Sequence, residues 1–160
     1  MTYESILKTI SMELKKRNIS IATAESCTGG LLAHLLTNIS GSSEYFDRGV
    51  VTYSNISKIE LLGVSQETIK EYGAVSKETA SAMAIGIKER SNVDIGMSTT
   101  GVAGPTGGTI EKPVGLVYIG ISTSKETKVK KFIFTKNRLQ NKEQTCYEAL
   151  KILLETLSKW

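Results

Sequence analysis

The chain has 160 residues, 20 Lys and Arg against 16 Asp and Glu, a net charge of +4, and 40% hydrophobic and 22% charged residues. That suits one globular domain spanning residues 1–160, with no apolar run near the ~18 residues of a membrane span and no hydrophobic leader in its charge-dotted first residues. With only Cys27 and Cys146, and His34 as the one histidine, disulfide frameworks and the usual zinc ligand sets are disfavoured, so a cytoplasmic protein with no metal or organic cofactor is expected.

In chain order, Ile6, Leu7, Ile10 and Leu14 recur at helical spacing and predict a helix over 3–17, ended by Asn18. Residues 19–24 read as a strand, broken at Glu25-Ser-Cys-Thr-Gly-Gly30, and 31–39 as a second helix closing at Gly41. Residues 49–53 predict another strand. Short helices follow over 55–62, stopped by Gly63, and from Ser65 to before Gly73. Ser76 caps a longer helix to about Arg90, and 93–98 form a strand that runs into a glycine-rich loop, Thr99 to Thr109. The segments 115–122 and 128–134 pair as a hairpin, and the last helix covers 141–157. Strands alternating with helices, plus one hairpin, predict a three-layer α/β/α sandwich with a mixed sheet, its site at the carboxyl ends of the parallel strands.

Four stretches carry possible chemistry. Ser26 stands at a strand end just before a helix start, where an exposed hydroxyl meets unpaired backbone amides suited to an oxyanion; the same spacing also suits a plain helix cap by Ser26 or Thr28. Tyr53 and Lys58 are placed to share a crevice, and a lysine becomes a base when burial lowers its pKa; an ordinary solvated lysine fits the spacing equally. The loop from Thr100 and Gly101 to Gly108 lacks the Gly-Lys-Ser/Thr of a phosphate-binding P-loop and says only that backbone turns tightly or approaches a ligand. Arg138, before the last helix, is the right residue type to grip a phosphate, and equally an unremarkable surface arginine. The lysines Lys128, Lys130, Lys131, Lys151 and Lys159 lack the interleaved aromatics of a nucleic-acid face, so no nucleic-acid partner is expected.

Together these stretches resemble the CinA C-terminal domain family, whose stand-alone members include nicotinamide-nucleotide amidases. The matching residues are Thr23-Ala-Glu-Ser-Cys-Thr-Gly-Gly30, Gly41-Ser-Ser43, Val51-Thr-Tyr-Ser-Asn55, Lys58 with Leu62-Gly-Val64, Gly73-Ala-Val-Ser76, Thr100-Gly-Val-Ala-Gly-Pro105 and Lys112-Pro-Val-Gly115, in family order. The resemblance implies an α/β/α homodimer that hydrolyses the carboxamide of nicotinamide mononucleotide to the acid and ammonia. It implies Ser26 as nucleophile, Lys58 as general base, Tyr53 as an assisting hydroxyl, and Thr100 and Arg138 as site residues. Substrate contacts from Thr28, Gly29, Gly30 and Gly101 are expected beside them, the amides of 28–30 forming the oxyanion hole and Arg138 meeting the phosphate. The chain departs from the family at Lys136-Asn137-Arg138, where Gly-Asp-Arg is common, and at Lys142, where a second arginine is usual. Two other readings stay open: a non-catalytic nucleotide-binding module serving DNA uptake or damage responses, and an amidase for a different carboxamide.

Overall fold

The computed structural model describes all of residues 1–160. Eleven helices and strands run α1 (Tyr3–Arg17), β1 (Ile21–Glu25), α2 (Leu31–Thr37), β2 (Phe46–Val51), α3 (Asn55–Leu62), α4 (Gln66–Tyr72), α5 (Lys77–Ser91), β3 (Ile95–Gly101), β4 (Leu116–Ser122), β5 (Thr127–Ile133) and α6 (Arg138–Ser158). One five-stranded sheet has the order β2-β1-β3-β4-β5. β1 is parallel to both neighbours, while β3, β4 and β5 pair antiparallel, so the sheet is mixed. Helices cover both faces, which makes the architecture three-layered.

Local chemistry explains the main elements. Thr2 accepts the Ser5 amide to start α1, and Asn18 ends it in the left-handed conformation at φ 54°. Ile6, Ile10 and Leu14 face inward and meet Leu32, Leu36, Cys146, Leu150 and Leu153 over one face of the sheet. Each such buried aliphatic contributes about 1.5–3 kcal/mol of apolar transfer. On the opposite face Met83 and Ile87 of α5 pack with Ala22, Ala24, Leu62 and Val64. Every residue of β1 is buried, as befits a central strand.

Several boundaries differ from the sequence expectation: β1 starts at Ile21 rather than 19 and keeps Glu25 as its last residue, β5 is displaced by one residue, and four larger differences follow. β2 spans Phe46–Val51 rather than 49–53, because it is an edge strand whose exposed Asp47 and Arg48 hide its periodicity. α6 begins at Arg138 rather than 141, since Asn137 and Gln140 form a reciprocal capping box. β3 continues through Thr99, Thr100 and Gly101, which pair with β4 instead of opening the glycine loop. α2 stops at Thr37, and a single 3-10 turn, Ser42–Glu44, follows it. The parallel strands β1, β2 and β3 thus end together, and the loops leaving them converge on one edge of the sheet.

Candidate active site

β1 hands the chain to Ser26. The Ser26 amide donates to the Thr99 carbonyl of β3 at 2.9 Å, and the Thr52 amide beyond β2 donates to the Glu25 carbonyl at 2.8 Å. Ser26 is therefore fixed between the ends of its two neighbouring strands. After it the chain reverses through Gly29 and Gly30, at φ 61° and 101°, which only glycine adopts freely.

Lys58 lies on α3, which Ser54 and Ser57 cap reciprocally. It is 1% exposed. Its Nζ stands 3.2 Å from Ser26 Oγ, 2.7 Å from the Thr52 carbonyl oxygen and 3.5 Å from that of Ser54. All three partners are neutral oxygens. Burial pushes the Lys58 pKa below its ordinary value, because loss of solvent penalises the ammonium more than the amine.

Above this pair sit Tyr53 and Arg138. Arg138 donates from Nη2 to the Tyr53 hydroxyl at 2.9 Å and from Nη1 to the Gly104 carbonyl at 2.8 Å. Its fork thereby ties the β2 exit to the glycine loop. The same loop is held from below by buried Asn141, whose side-chain amide donates to the Ala103 carbonyl at 3.0 Å. Thr100 is 1% exposed, and its hydroxyl donates to the Ala74 carbonyl at 2.7 Å, drawing residues 74–75 to the cleft wall.

Ser26, Tyr53, Lys58, Thr100, Gly101 and Arg138 all line one open cleft of about 270 Å³, joined by Cys27, Asn55, Ala74, Val75 and, from the glycine loop, Val102, Ala103, Gly104, Thr106 and Gly107. No Asp or Glu lines it, so Lys58 and Arg138 set its charge. The cysteine beside the serine is a poor nucleophile, because burial, and then the nearby Glu25 carboxylate, push the Cys27 thiol up to about 12.

Thr28, Gly29 and Gly30, expected beside Ser26, line a neighbouring cleft with His34, Leu139, Lys142 and Glu143. The Thr28 hydroxyl is buried and turned inward, donating to Glu25 Oε1 at 2.6 Å and lying 2.7 Å from Thr99 Oγ1. The first-turn amides of α2 are also engaged: Leu32 and Ala33 donate to the Glu25 carboxylate at 2.8 and 3.0 Å. Within the turn itself the Gly29 amide donates to the Ser26 carbonyl at 3.1 Å, whereas the amides of Cys27, Thr28 and Gly30 donate to no other residue. Glu25, Thr99, Asn141 and residues 74–75 are the site-building residues that sequence reasoning missed. The one available signal for Glu25 was its position directly after four residues of an all-buried strand.

Residues 3–157 match the CinA C-terminal domain. A CinA-like protein of Chloroherpeton thalassium is 55% identical over 149 residues, covering 91% of this chain and 36% of that protein. A putative competence-damage inducible protein of Clostridium botulinum strain Okra is 52% identical over 153 residues, covering 96% and 37% respectively. The chain thus spans about a third of the length of these curated relatives. Among solved structures, the competence/damage inducible protein CihA of Agrobacterium tumefaciens superposes with a TM-score of 0.94 at 39% identity, over 98% of this chain and 95% of that one. A competence damage-inducible protein A from Klebsiella pneumoniae gives 0.96 at 31% identity, over 100% and 99%.

Proposed function

The chain belongs to the CinA C-terminal domain family, and from that premise we propose that it is a serine amidohydrolase that deamidates nicotinamide mononucleotide. The observation that carries the reading is Lys58: an almost fully buried lysine, held by neutral oxygens, with Nζ 3.2 Å from a serine hydroxyl that faces an open cleft. A neutral amine there has two N–H groups for the Thr52 and Ser54 carbonyls and one lone pair for the Ser26 proton.

In this mechanism Lys58 takes the proton as Ser26 Oγ bonds to the carboxamide carbon. The amides of Cys27, Thr28 and Gly30, which follow the nucleophile and donate to no other residue, are the candidates to stabilise the developing oxyanion. Because the Tyr53 hydroxyl accepts from Arg138, its own proton is free to point into the cleft. The Lys58 ammonium protonates the departing nitrogen, directly or through the Tyr53 hydroxyl, which gives its proton and is reprotonated by Lys58; the C–N bond breaks, ammonia leaves, the acyl group remains on Ser26 and Lys58 is again neutral. Water, deprotonated by Lys58, then releases the acid and restores the serine. The carboxylate-free cleft, with its guanidinium, suits a substrate bearing a phosphate.

The test is ammonia release from nicotinamide mononucleotide in the presence of a chelator, by the wild type and by Ser26→Ala. The substitution is expected to lower kcat/KM by about 10⁴-fold or more; equal rates would refute the assignment. Thermal stabilisation by the nucleotide without turnover would select a binding module, and turnover of other carboxamides alone would select a different amidase.

A further inference from the structure

We propose that Glu25 is a positioning residue for the nucleophile, a buried carboxylate that sets the direction of Ser26 Oγ by holding the turn 26–30 from beneath and never touching substrate. The proposal rests on reading Ser26 as the nucleophile. Glu25 is 1% exposed. Its Oε1 accepts from Thr28 Oγ1 at 2.6 Å and the Leu32 amide at 2.8 Å, and its Oε2 accepts from the Ala33 amide at 3.0 Å.

The source of this cap is unusual. A helix start is ordinarily satisfied by a Ser, Thr, Asp or Asn at the capping position itself. In α2 that position is Gly30, with no side chain to offer, and the cap comes from the last residue of the preceding strand. The carboxylate therefore spans the whole nucleophile turn and binds its far end to its near end. The near end is anchored too: the Glu25 carbonyl accepts the Thr52 amide at 2.8 Å, and the Thr52 carbonyl accepts Lys58 Nζ at 2.7 Å. Thr28 adds a third tie, its hydroxyl lying 2.7 Å from Thr99 Oγ1, while the Thr99 carbonyl accepts the Ser26 amide. Both members of the Ser26–Lys58 pair are thereby referred to one rigid frame.

The carboxylate is specific to the task. Three donors converge on its two oxygens, whereas a glutamine offers one acceptor oxygen and an NH₂ that would face another donor. Glu25→Gln keeps the side-chain volume yet tilts the turn, and a misplacement of reacting atoms by about 1 Å costs on the order of 10²-fold in rate.

The experiment measures the rate at which phenylmethylsulfonyl fluoride labels Ser26, read by intact mass, alongside kcat and KM for nicotinamide mononucleotide. Glu25→Gln is expected to slow labelling and kcat together by about 10–100-fold, with KM within about twofold. Thr28→Val, which removes one tie, should lose less, and the double variant should lose no more than Glu25→Gln alone. The acid limb of the pH profile should stay in place, because Glu25 acts through geometry and not on Lys58. A Glu25→Gln protein that labels at the wild-type rate, or changes only KM, overturns the proposal. If that variant does not fold, Thr28→Val carries the test, and an unaltered labelling rate there overturns it equally. A wild type that is labelled at Ser26 yet leaves the mononucleotide intact fails the substrate reading, while the labelling rates still decide the role of Glu25; an unlabelled Ser26 overturns both.

Discussion

Glu25 and Lys58 are each 1% exposed; Glu25 ends β1, and Lys58 lies on α3, the helix that follows the adjacent parallel strand β2. Their surroundings are opposite. Glu25 is closed in by three donors, two of them backbone amides, with no opening onto the cleft. Lys58 is held by acceptors on one side and by the Ser26 hydroxyl on the other, and that hydroxyl lines the cleft. A buried charge whose partners are all backbone or inward-facing groups serves as scaffold. One that meets the cleft through a second reactive atom is available for chemistry. The sequence places both residues in polar stretches, so the distinction exists only in three dimensions.

The sharpest way to break this contrast is Lys58→Met, which replaces a buried ammonium by an apolar chain of similar length. Activity should fall by about 10⁴-fold or more, since the base is gone. The melting temperature should hold or rise, because the desolvation of a buried charge is removed. A loss of several degrees would mean that the hydrogen bonds to Thr52 and Ser54 outweigh that penalty. The pH dependence follows from the direction of the Lys58 shift. The unfolded chain keeps the proton up to the ordinary 10.5, whereas the folded chain releases it lower. Wild type therefore carries the full penalty below the folded-state pKa and sheds it as pH rises towards 10.5. Denaturant titrations of the two proteins should show a stability difference that shrinks over that window. A constant difference would remove the desolvated lysine from the account. The rate of the wild type should climb with pH and level off below 10.5, reporting the same group.

Arg138→Lys comes next in size. The guanidinium fork reaches the Tyr53 hydroxyl and the Gly104 carbonyl at once, and a single ammonium cannot reproduce that planar pair. A loss of about 10–100-fold in kcat/KM is expected, with little change in melting temperature because the residue is exposed. Full activity in the lysine variant would show that only charge matters at this position.

How far the sequence led can be judged from the same residues. The apolar spacing of Ile6, Leu7, Ile10 and Leu14 located α1 to the residue, because local periodicity and an Asn cap decide it. The convergence of Ser26, Tyr53 and Lys58 was legible through family motifs, and the strand-to-helix turn supplied the reason for looking there. Glu25 was not legible as a buried residue, since its partners lie at Leu32 and Ala33 and, through Thr28, at Thr99. Thr100 was named as a site residue through the family resemblance, and it does line the cleft; what local pattern did not reveal is that it belongs to β3, pairs with β4 and donates its hydroxyl to the Ala74 carbonyl. β2 slipped for a similar reason: an edge strand carries exposed charges that local pattern takes for a loop. Contacts distant in sequence decided each of these.

The smallest expected effect bears on the two clefts either side of the Gly29–Gly30 turn. Lys142, where the family commonly has arginine, lies beside Gly29: a Cβ built at that glycine would be 3.5 Å from Lys142 Nζ. Its cleft is shared with Thr28, His34 and Glu143, and not with Ser26 or Lys58. If the substrate occupies the Ser26 cleft alone, Lys142→Arg should leave KM and kcat for nicotinamide mononucleotide within about twofold, because at this position a planar fork would have no substrate oxygens to grip. A KM that falls by about tenfold, some 1.4 kcal/mol of binding, would show instead that the phosphate reaches over the turn. In that case the two clefts form one site, and the glycines at 29 and 30 are its saddle as well as the hinge of the nucleophile.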